Sequence, residues 1–587
     1  MKTFLLSFLG GLAALIVFFV LIPIVLLLSF LPSGEPAPVR NSVLEIDLRE
    51  GLPDQPASDS VSALFSQLSF VQVLLRLDAA ADDPNVKGVF VRAAEFNMGS
   101  SRAEELRAAF LRLKAKDKFV IAHSQGFLAS GPAAYRAISA ADEIWLQPGT
   151  SFETPGITFE TLFLGEALQN LHVTPDIEQF YEYKNAADVY KGRSYSAPHA
   201  EAMTALAESV WTQSIADIAA DRGTDPAALR ANLENSPYSA DQALELKLVD
   251  KLGWPEEAAD AAKARAGKGE LIEIADYVAP QRRGKAVIAV VGGEGDIVTG
   301  GGGSDDILGF GTPVFASDRV ADELLDLVED KSVDAVVFRV DSGGGSATAS
   351  DQIWRAVERL QESGKKVVVS MGSVAASGGY YVAAGADAIV STRSTITGSI
   401  GVFGGKFAIA DGLRQLGVNP DEIRVGGEFA SAYSTEKLTN AQRVKLHESL
   451  ENVYERFTGL VAEGRNLPLE RVQEIAKGRI WSGEMAKEIG LVDETGDLID
   501  AIHKAKELAG FKPEDRVTIR LKLHEASPFE LLSRAMSSAQ LSSGEREALG
   551  VLTAVIGRQR AEAVLGQIRQ LSGRPGAQVW SPPVIER

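Results

Sequence analysis

The sequence predicts an α/β fold written twice in tandem, and two observations carry that prediction. The first is internal repetition. Val86-Lys-Gly-Val-Phe-Val-Arg92 matches Val333-Asp-Ala-Val-Val-Phe-Arg339, and Ala141-Asp142-Glu143-Ile144 parallels Ala386-Asp387-Ala388-Ile389. Ser239–Asp250 agrees with Ser482–Asp493 at six of twelve positions, and the offset drifts only from 247 to 243 across the matched segments. The second is periodicity: short, nearly solid aliphatic runs alternate with segments of helical spacing, the pattern of parallel strands covered by helices. With 45% apolar and 24% charged residues, the 587-residue chain has the balance of a globular protein.

Taken in order, the chain starts with an uncharged run from Phe4 to Leu31. About 20 apolar residues cross ~30 Å of hydrocarbon, so this run reads as a spanning anchor. The alternative is a long signal peptide removed at maturation. Lys2 lies before the run, and Glu35, Arg40, Glu45 and Asp47 lie after it, which favours a cytoplasmic N-terminus with the body outside. The first repeat opens on the β-rich Val43–Leu48, the second on Val287–Val291. In the second, Ala335–Val340 reads as a strand, Ser350–Ser363 as a helix, Lys366–Met371 as a strand, Ser377–Gly385 as a helix start and Ala388–Ser391 as a short strand. Amphipathic helices follow over Asn440–Asn466 and Leu469–Lys477, and the tail shows helical patterns in Pro528–Ala539 and Ser543–Leu571. The expected organisation is an anchor over 1–33, repeats over 41–280 and 286–508, and a helical extension over 511–587.

Charge and composition exclude several classes. Lys plus Arg total 59 against 79 Asp plus Glu, a net −20 with no basic stripe, so nucleic-acid binding is not expected. The absence of cysteine removes disulfides, thiol nucleophiles and iron–sulfur clusters. The six histidines make no HxH or HExxH spacing, so a His-built metal site has no local support, and no cofactor is expected. Gly292-Gly293-Glu-Gly295 lacks the third glycine and the following helix of a dinucleotide fingerprint.

Candidate chemistry sits in the second repeat. Asp341-Ser342-Gly343-Gly344-Gly345-Ser346 joins a strand to a helix, where glycines let backbone N–H groups face an anion, or where a tight turn simply needs them. The same place in the first repeat, Ala93–Gly99, has no glycine run. Gly372-Ser-Val-Ala-Ala-Ser377-Gly378-Gly379-Tyr380 resembles a G-x-S-x-G elbow with Ala375 in the first glycine's place, so Ser377 is a candidate nucleophile as well as a candidate helix cap. Its base could be a lysine kept neutral by burial, because His447 and His503 fall in charged helical segments. Lys184, among Tyr181, Tyr183 and Tyr190, has an unusual setting, the tyrosines offering an apolar wall. Spacing alone leaves it one lysine among many.

The strings Ala375–Tyr380 and Thr397-Gly-Ser399-Ile-Gly-Val402, with Tyr183-Lys184 and Ser342–Ser346, resemble bacterial signal peptide peptidase A (protease IV) in its long, two-repeat form. The resemblance covers roughly residues 40–508. It implies tandem ClpP/crotonase-like domains and a Ser/Lys endopeptidase that degrades signal-peptide remnants and other short apolar peptides. It also implies a homotetramer, anchored in membrane lipid at the inner (cytoplasmic) membrane with the body on the periplasmic side. Carried over by position, Ser377 is the nucleophile, Lys184 the general base and Ser399 the residue holding the lysine's amine. Gly344 and Gly378 supply oxyanion N–H groups. Two positions depart from the family pattern: Gly343 stands where it usually has proline, and Asn185 follows the lysine where it often has serine. Ser130, followed by Gly131 and Pro132, resembles a degenerate twin of Ser377. A crotonase-type acyl-CoA enzyme and a catalytically inactive membrane scaffold are the competing classes.

Overall fold

In the computed structural model, residues 41–56, 68–95, 98–128, 131–280, 283–301, 314–522 and 578–580 are described. The expected anchor, Ser130 and the helical patterns of Pro528–Ala539 and Ser543–Leu571 lie outside them. Among the described residues no helix is long and apolar enough to cross a membrane.

The strands that matter, in chain order, are β1 (Ser42–Asp47), β2 (Val86–Arg92), β3 (Phe119–Ser124), β4 (Glu143–Leu146), β5 (Thr174–Gln179), β6 (Ala286–Glu294), β7 (Asp296–Val298) and β8 (Ala335–Ser342). They continue with β9 (Gly344–Ser346), β10 (Lys366–Ala376), β11 (Ala388–Ser391), β12 (Ile396–Gly398), β13 (Phe403–Ala408) and β14 (Gln578–Trp580). The helices used below are α1 (Ser100–Ala115), α2 (Ala133–Ile138), α3 (Ala197–Arg222), α4 (Ala347–Glu362), α5 (Gly378–Ala383), α6 (Asn440–Gly464) and α7 (Leu498–Leu508). His447 lies on α6 and His503 on α7.

The repeats build matching sheets. In the first, Lys251–Leu252, β4, β3, β2, β1 and Leu271–Glu273 lie side by side, all parallel. In the second, Glu494–Thr495, β11, β10, β8, β6 and Val517–Leu521 take the same order, again parallel. Near-continuous Val/Ile/Ala composition suits strands buried on both faces, and Val336, Val337, Val367 and Val368 are all fully buried. The same capping bonds recur in both copies. Asp142 accepts from the Val120 N–H and Asp387 from that of Val367; Asp250 accepts from Ile144 and Asp493 from Ile389.

Element ends differ slightly from expectation: β10 runs on to Ala376 and so carries its register to the edge of the Ser377 turn. The tail expectation needs correcting, because Val517–Leu521 is a strand paired with β6 and Gln578–Trp580 is another strand. Val517, Thr518 and Ile519 are β-branched and fit a pleated edge better than a helix. Gly292 and Gly293 lie within β6, where a Cβ on Gly293 would meet the Phe315 ring at 2.2 Å, so these glycines make room for packing.

One core runs through both repeats, joining Leu44, Val91 and Leu106 to Val290, Val337, Val368 and Ile502. At that junction the fully buried Arg339 donates to Asp54 and Glu105, both of the first repeat, with 2.8 Å contacts to each. Burial opposes its charge, but the two carboxylates outweigh burial and hold the guanidinium well above its ordinary pKa. The repeats also share a third sheet, in the order Val314–Ala316, β7, β9, β14, β13, β5. First-repeat β5 is antiparallel to second-repeat β13 over six residue pairs, and it leads the chain toward Lys184.

Candidate active site

β10 ends at Ala376, and the chain turns at Ser377 with φ 55° and ψ −114° before entering α5. This is backbone that a residue with a Cβ adopts only when its surroundings enforce it. Here the Ser377 N–H donates to Gly398 O at 2.7 Å, and the Ser377 carbonyl accepts from the Tyr381 N–H at 2.8 Å. The following residues have to be small. A Cβ on Gly378 would approach Ser350 Oγ at 2.8 Å and Gly344 Cα at 3.0 Å, and one on Gly379 would lie 2.3 Å from Ser342 O. The Ser377 turn and the glycine loop are therefore in direct contact.

Lys184 arrives from the other repeat. Its side chain is fully buried, and its Nζ stands 2.7 Å from Ser377 Oγ. Nζ also donates to Ser399 O at 2.8 Å and to Ser399 Oγ at 3.1 Å. No carboxylate offsets the burial, which alone pushes the amine's pKa well below its usual value. A neutral amine has two hydrogens and one lone pair. With both hydrogens spent on Ser399, the lone pair is left for the Ser377 hydroxyl. Ser399 is itself held at φ 52°, its N–H donating to Arg479 O at 2.7 Å.

The structure thus brings Ser377, Lys184, Ser399, Gly344 and Gly378 together. Gly344 has φ 110°, and its N–H donates to Ser342 Oγ at 3.1 Å. The positive φ values of the loop fall at Gly344 and Gly345 and not at Gly343, so the backbone sign does not demand glycine where the family has proline. Asn185 is buried beside the lysine but makes no bond to its amine; its N–H donates to Tyr183 O.

The expected tyrosine wall is not what surrounds the amine. Tyr183 donates its hydroxyl to Glu201, Tyr181 is half-exposed against Tyr454, and Tyr190 packs on Phe407. The lysine is enclosed by Gly401, within the Thr397–Val402 string, and by Gly478, which sequence reasoning missed. A Cβ on Gly401 would lie 3.3 Å from Lys184 Cδ, and one on Gly478 only 2.5 Å from Lys184 N. Gly478 has φ 85°, and its neighbour Lys477 accepts the Tyr183 N–H at 3.1 Å. A lone glycine between a helix and a strand signals only a turn, so the sequence offered no pointer to this contact.

A strained serine, a fully buried lysine amine at hydrogen-bond distance and a glycine loop against the serine turn form an arrangement suited to a hydrolase of the nucleophilic-serine class. Residues 112–268 and 359–512 match the model of Peptidase family S49, one segment in each repeat. The chain is 31% identical over 471 residues to Protease 4 of Haemophilus influenzae, covering 77% of this chain and 75% of that one. It is 29% identical over 489 residues to the chloroplastic serine protease SPPA of Arabidopsis thaliana, covering 82% and 71%. A putative signal peptide peptidase SppA of Enterococcus faecium is 34% identical over 189 residues, covering 32% of this chain and 55% of that one. Among solved structures, ClpP1 of Listeria monocytogenes aligns with 18% identity and a TM-score of 0.23 over 36% of this chain and 94% of that one. The chain belongs to peptidase family S49. It is a serine peptidase, which decides against the acyl-CoA and inactive-scaffold readings.

Proposed function

We propose that this peptidase is anchored by residues 1–33 at the inner membrane, with its body on the periplasmic side, and hydrolyses signal-peptide remnants and other short apolar peptides. The observation that carries the chemistry is the 2.7 Å approach of a fully buried lysine amine to a strained serine hydroxyl. Lys184 takes the Ser377 proton as Oγ attacks the scissile carbonyl carbon. The carbonyl oxygen becomes an oxyanion facing the Gly378 and Gly344 N–H groups, the latter exchanging its bond to Ser342 Oγ. Collapse breaks the C–N bond, and the Lys184 ammonium gives its proton to the leaving amine. Water then attacks the Ser377 ester, losing a proton to Lys184; collapse breaks the bond between the acyl carbon and Ser377 Oγ, the Lys184 ammonium returns its proton to Oγ, and the acid leaves. Ser399 keeps the amine aimed throughout.

The division over 41–280 and 286–508 means that neither repeat is active alone, since each holds a part of the site the other lacks. A ClpP/crotonase-like ancestry for both repeats and a closed homotetramer that excludes folded proteins complete the reading. Its test is labelling by a fluorophosphonate probe, with hydrolysis of fluorogenic peptides carrying Leu, Val or Ala before the scissile bond. Labelling and hydrolysis should both vanish in Ser377→Ala. Equal labelling of that variant would assign the nucleophile elsewhere.

A further inference from the structure

The strand that leads into Ser377 is not regular. β8 and β10 pair in strict register from Ala335 opposite Lys366 to Val340 opposite Met371, and the next pair is Ser342 opposite Ala375. Two steps along β8 are thus matched by four along β10, and Gly372-Ser373-Val374 forms a bulge just before the serine turn. At the same place β10 changes its other neighbour, from β11 up to Met371 to β12 from Val374 onward. At ~3.3 Å per residue, the two surplus residues would carry an unbulged strand about 7 Å further along. The bulge takes up that length and brings the Ser377 turn level with the glycine loop it touches.

A bulge takes backbone groups out of the ladder, and they need other partners. The β8 residue facing this one is Asp341, the residue before the glycine loop. Its Oδ1 accepts the Val374 N–H at 2.9 Å. Gly372 lies against the same side chain, where a Cβ would come within 2.8 Å of Asp341 Cβ and Cγ. The Gly372 carbonyl accepts from Thr395 Oγ1 at 2.8 Å and from Ser101 Oγ at 3.1 Å. The second carboxylate oxygen, Oδ2, stands 3.5 Å from Arg102 Nη2, and the Asp341 carbonyl accepts the Gly295 N–H at 3.0 Å. Ser101 and Arg102 belong to α1, so the first repeat braces the bulge from behind.

The copy without the reacting serine lacks this device. Its ladder ends with Arg92 opposite His123, the place of Arg339 opposite Ser370, and two residues further on stands Ala94 instead of Asp341. We infer that Asp341 is a positioning residue for hydrolysis: by holding the Val374 N–H it fixes the bulge, and the bulge sets the height of Ser377 Oγ against the Gly344 and Gly378 donors. One carboxylate at the root of the glycine loop thereby ties the donors and the serine strand into a single unit. The inference rests on Ser377 as the nucleophile and adds what sets its distance from the oxyanion donors.

The test measures kcat and KM for a short apolar fluorogenic peptide in four variants of the full chain. Asp341→Ala removes the acceptor, and Gly372→Ala crowds the carboxylate away from Val374 while leaving it in place. Each should lower kcat about 100-fold, the scale of a displacement of about 1 Å at a reacting group, with KM little changed. Asp341→Asn keeps an acceptor oxygen on a side chain of the same shape and should return most of the lost rate. Asp387→Ala is the control: it deletes a carboxylate that accepts the Val367 N–H at 2.9 Å, near the other end of the same strand, and should cost stability but not kcat. Hydrogen exchange over residues 372–378, read by mass spectrometry without substrate, should quicken in Asp341→Ala and Gly372→Ala and stay at the parent's rate in Asp387→Ala. Parent-like kcat in Gly372→Ala or in a folded Asp341→Ala, an equal fall in Asp387→Ala, or no gain from asparagine over alanine would overturn the inference. Should Asp341→Ala not fold, Gly372→Ala decides, because it keeps the buried carboxylate. Fluorophosphonate labelling that persisted in Ser377→Ala would instead sink the choice of nucleophile, while exchange over 372–378 still decided whether Asp341 holds the bulge.

Discussion

In the second repeat β8 runs into Ser342-Gly343-Gly344-Gly345, and β10 runs into a strained serine. In the first, β2 runs into Ala93-Ala94-Glu95 without a glycine loop. Behind these turns the two copies remain alike. Tyr135 of α2 donates its hydroxyl to Leu248 O at 2.6 Å, and Tyr380 of α5 donates to Leu491 O at 2.8 Å. The aspartates that cap the neighbouring strands match as well. Bonds that hold a helix on a sheet are needed by both copies, whereas a reactive group needs to exist only once. The first repeat contributes instead a loop that reaches across to the second, with Lys184 at its tip.

The largest break in that division comes from removing either of the two proposed reacting groups. Ser377→Ala and Lys184→Ala should each lower kcat/KM by about 10⁴-fold or more, and the double variant should be no worse than the worse single, because the two act as a unit. Steady-state kinetics with circular dichroism to confirm folding would read this out. Activity in the parent should rise with pH through the depressed pKa of Lys184 and then level off, since only the neutral amine accepts the proton. Substantial neutral-pH activity in Lys184→Ala would mean that another base serves.

Next in size is the junction between repeats. Arg339→Leu strands Asp54 and Glu105 as buried charges without their partner, a change that typically costs about 3–5 kcal/mol. Urea unfolding should show that loss. A variant within about 0.5 kcal/mol of the parent would show that solvent reaches those carboxylates and that the junction is looser than its contacts indicate.

Lys184 also acts on stability, with the opposite sign. The unfolded chain protonates this lysine below about pH 10.4, while the folded chain resists doing so, which penalises folding at neutral pH. Lys184→Met should therefore raise Tm at pH 7. As pH climbs from the lowered folded pKa toward the unfolded one, the parent gains stability and the difference between the two proteins should shrink. Scanning calorimetry at pH 7 and pH 10 would show this; a methionine variant that melted below the parent at pH 7 would place the lysine in a wetter environment than its full burial implies.

How much of this was legible in the sequence follows from how local each cause is. The Ser377 turn and the glycine loop announce themselves because strand, small residues and helix are consecutive. The repeat was readable because the bonds of its scaffold fix residue types such as Tyr135/Tyr380 and Asp142/Asp387 at matched positions. Lys184 had no such local mark. The three tyrosines beside it in sequence bond or pack elsewhere, and its special state comes from burial beneath Gly401 and Gly478, far along the chain. Resemblance to a family was the only route to it. The strand at Gln578–Trp580 was illegible for a related reason: three residues are too few for a periodicity, and only a distant pair of open edges makes them a strand.

The smallest expected effect sharpens the comparison most. Tyr135→Phe and Tyr380→Phe each delete one buried hydroxyl and leave one carbonyl, of Leu248 or Leu491, without its donor, at a cost of about 1–3 kcal/mol apiece. If the repeats share their scaffold, urea unfolding should show similar losses for the two variants. Their kinetics should part. Tyr380 lies on α5, the helix that begins at Gly378 immediately after Ser377, the proposed nucleophile, so its loosening should lower kcat with KM less affected. Tyr135 lies on α2, which carries no reacting group, and its variant should keep the parent's kcat once folding is corrected for. Equal kcat in both would mean that the serine turn is held by Gly398 and Tyr381 alone, and that the helix behind it is only a support. Unequal stability losses would mean that the copies have drifted apart in packing as well as in chemistry.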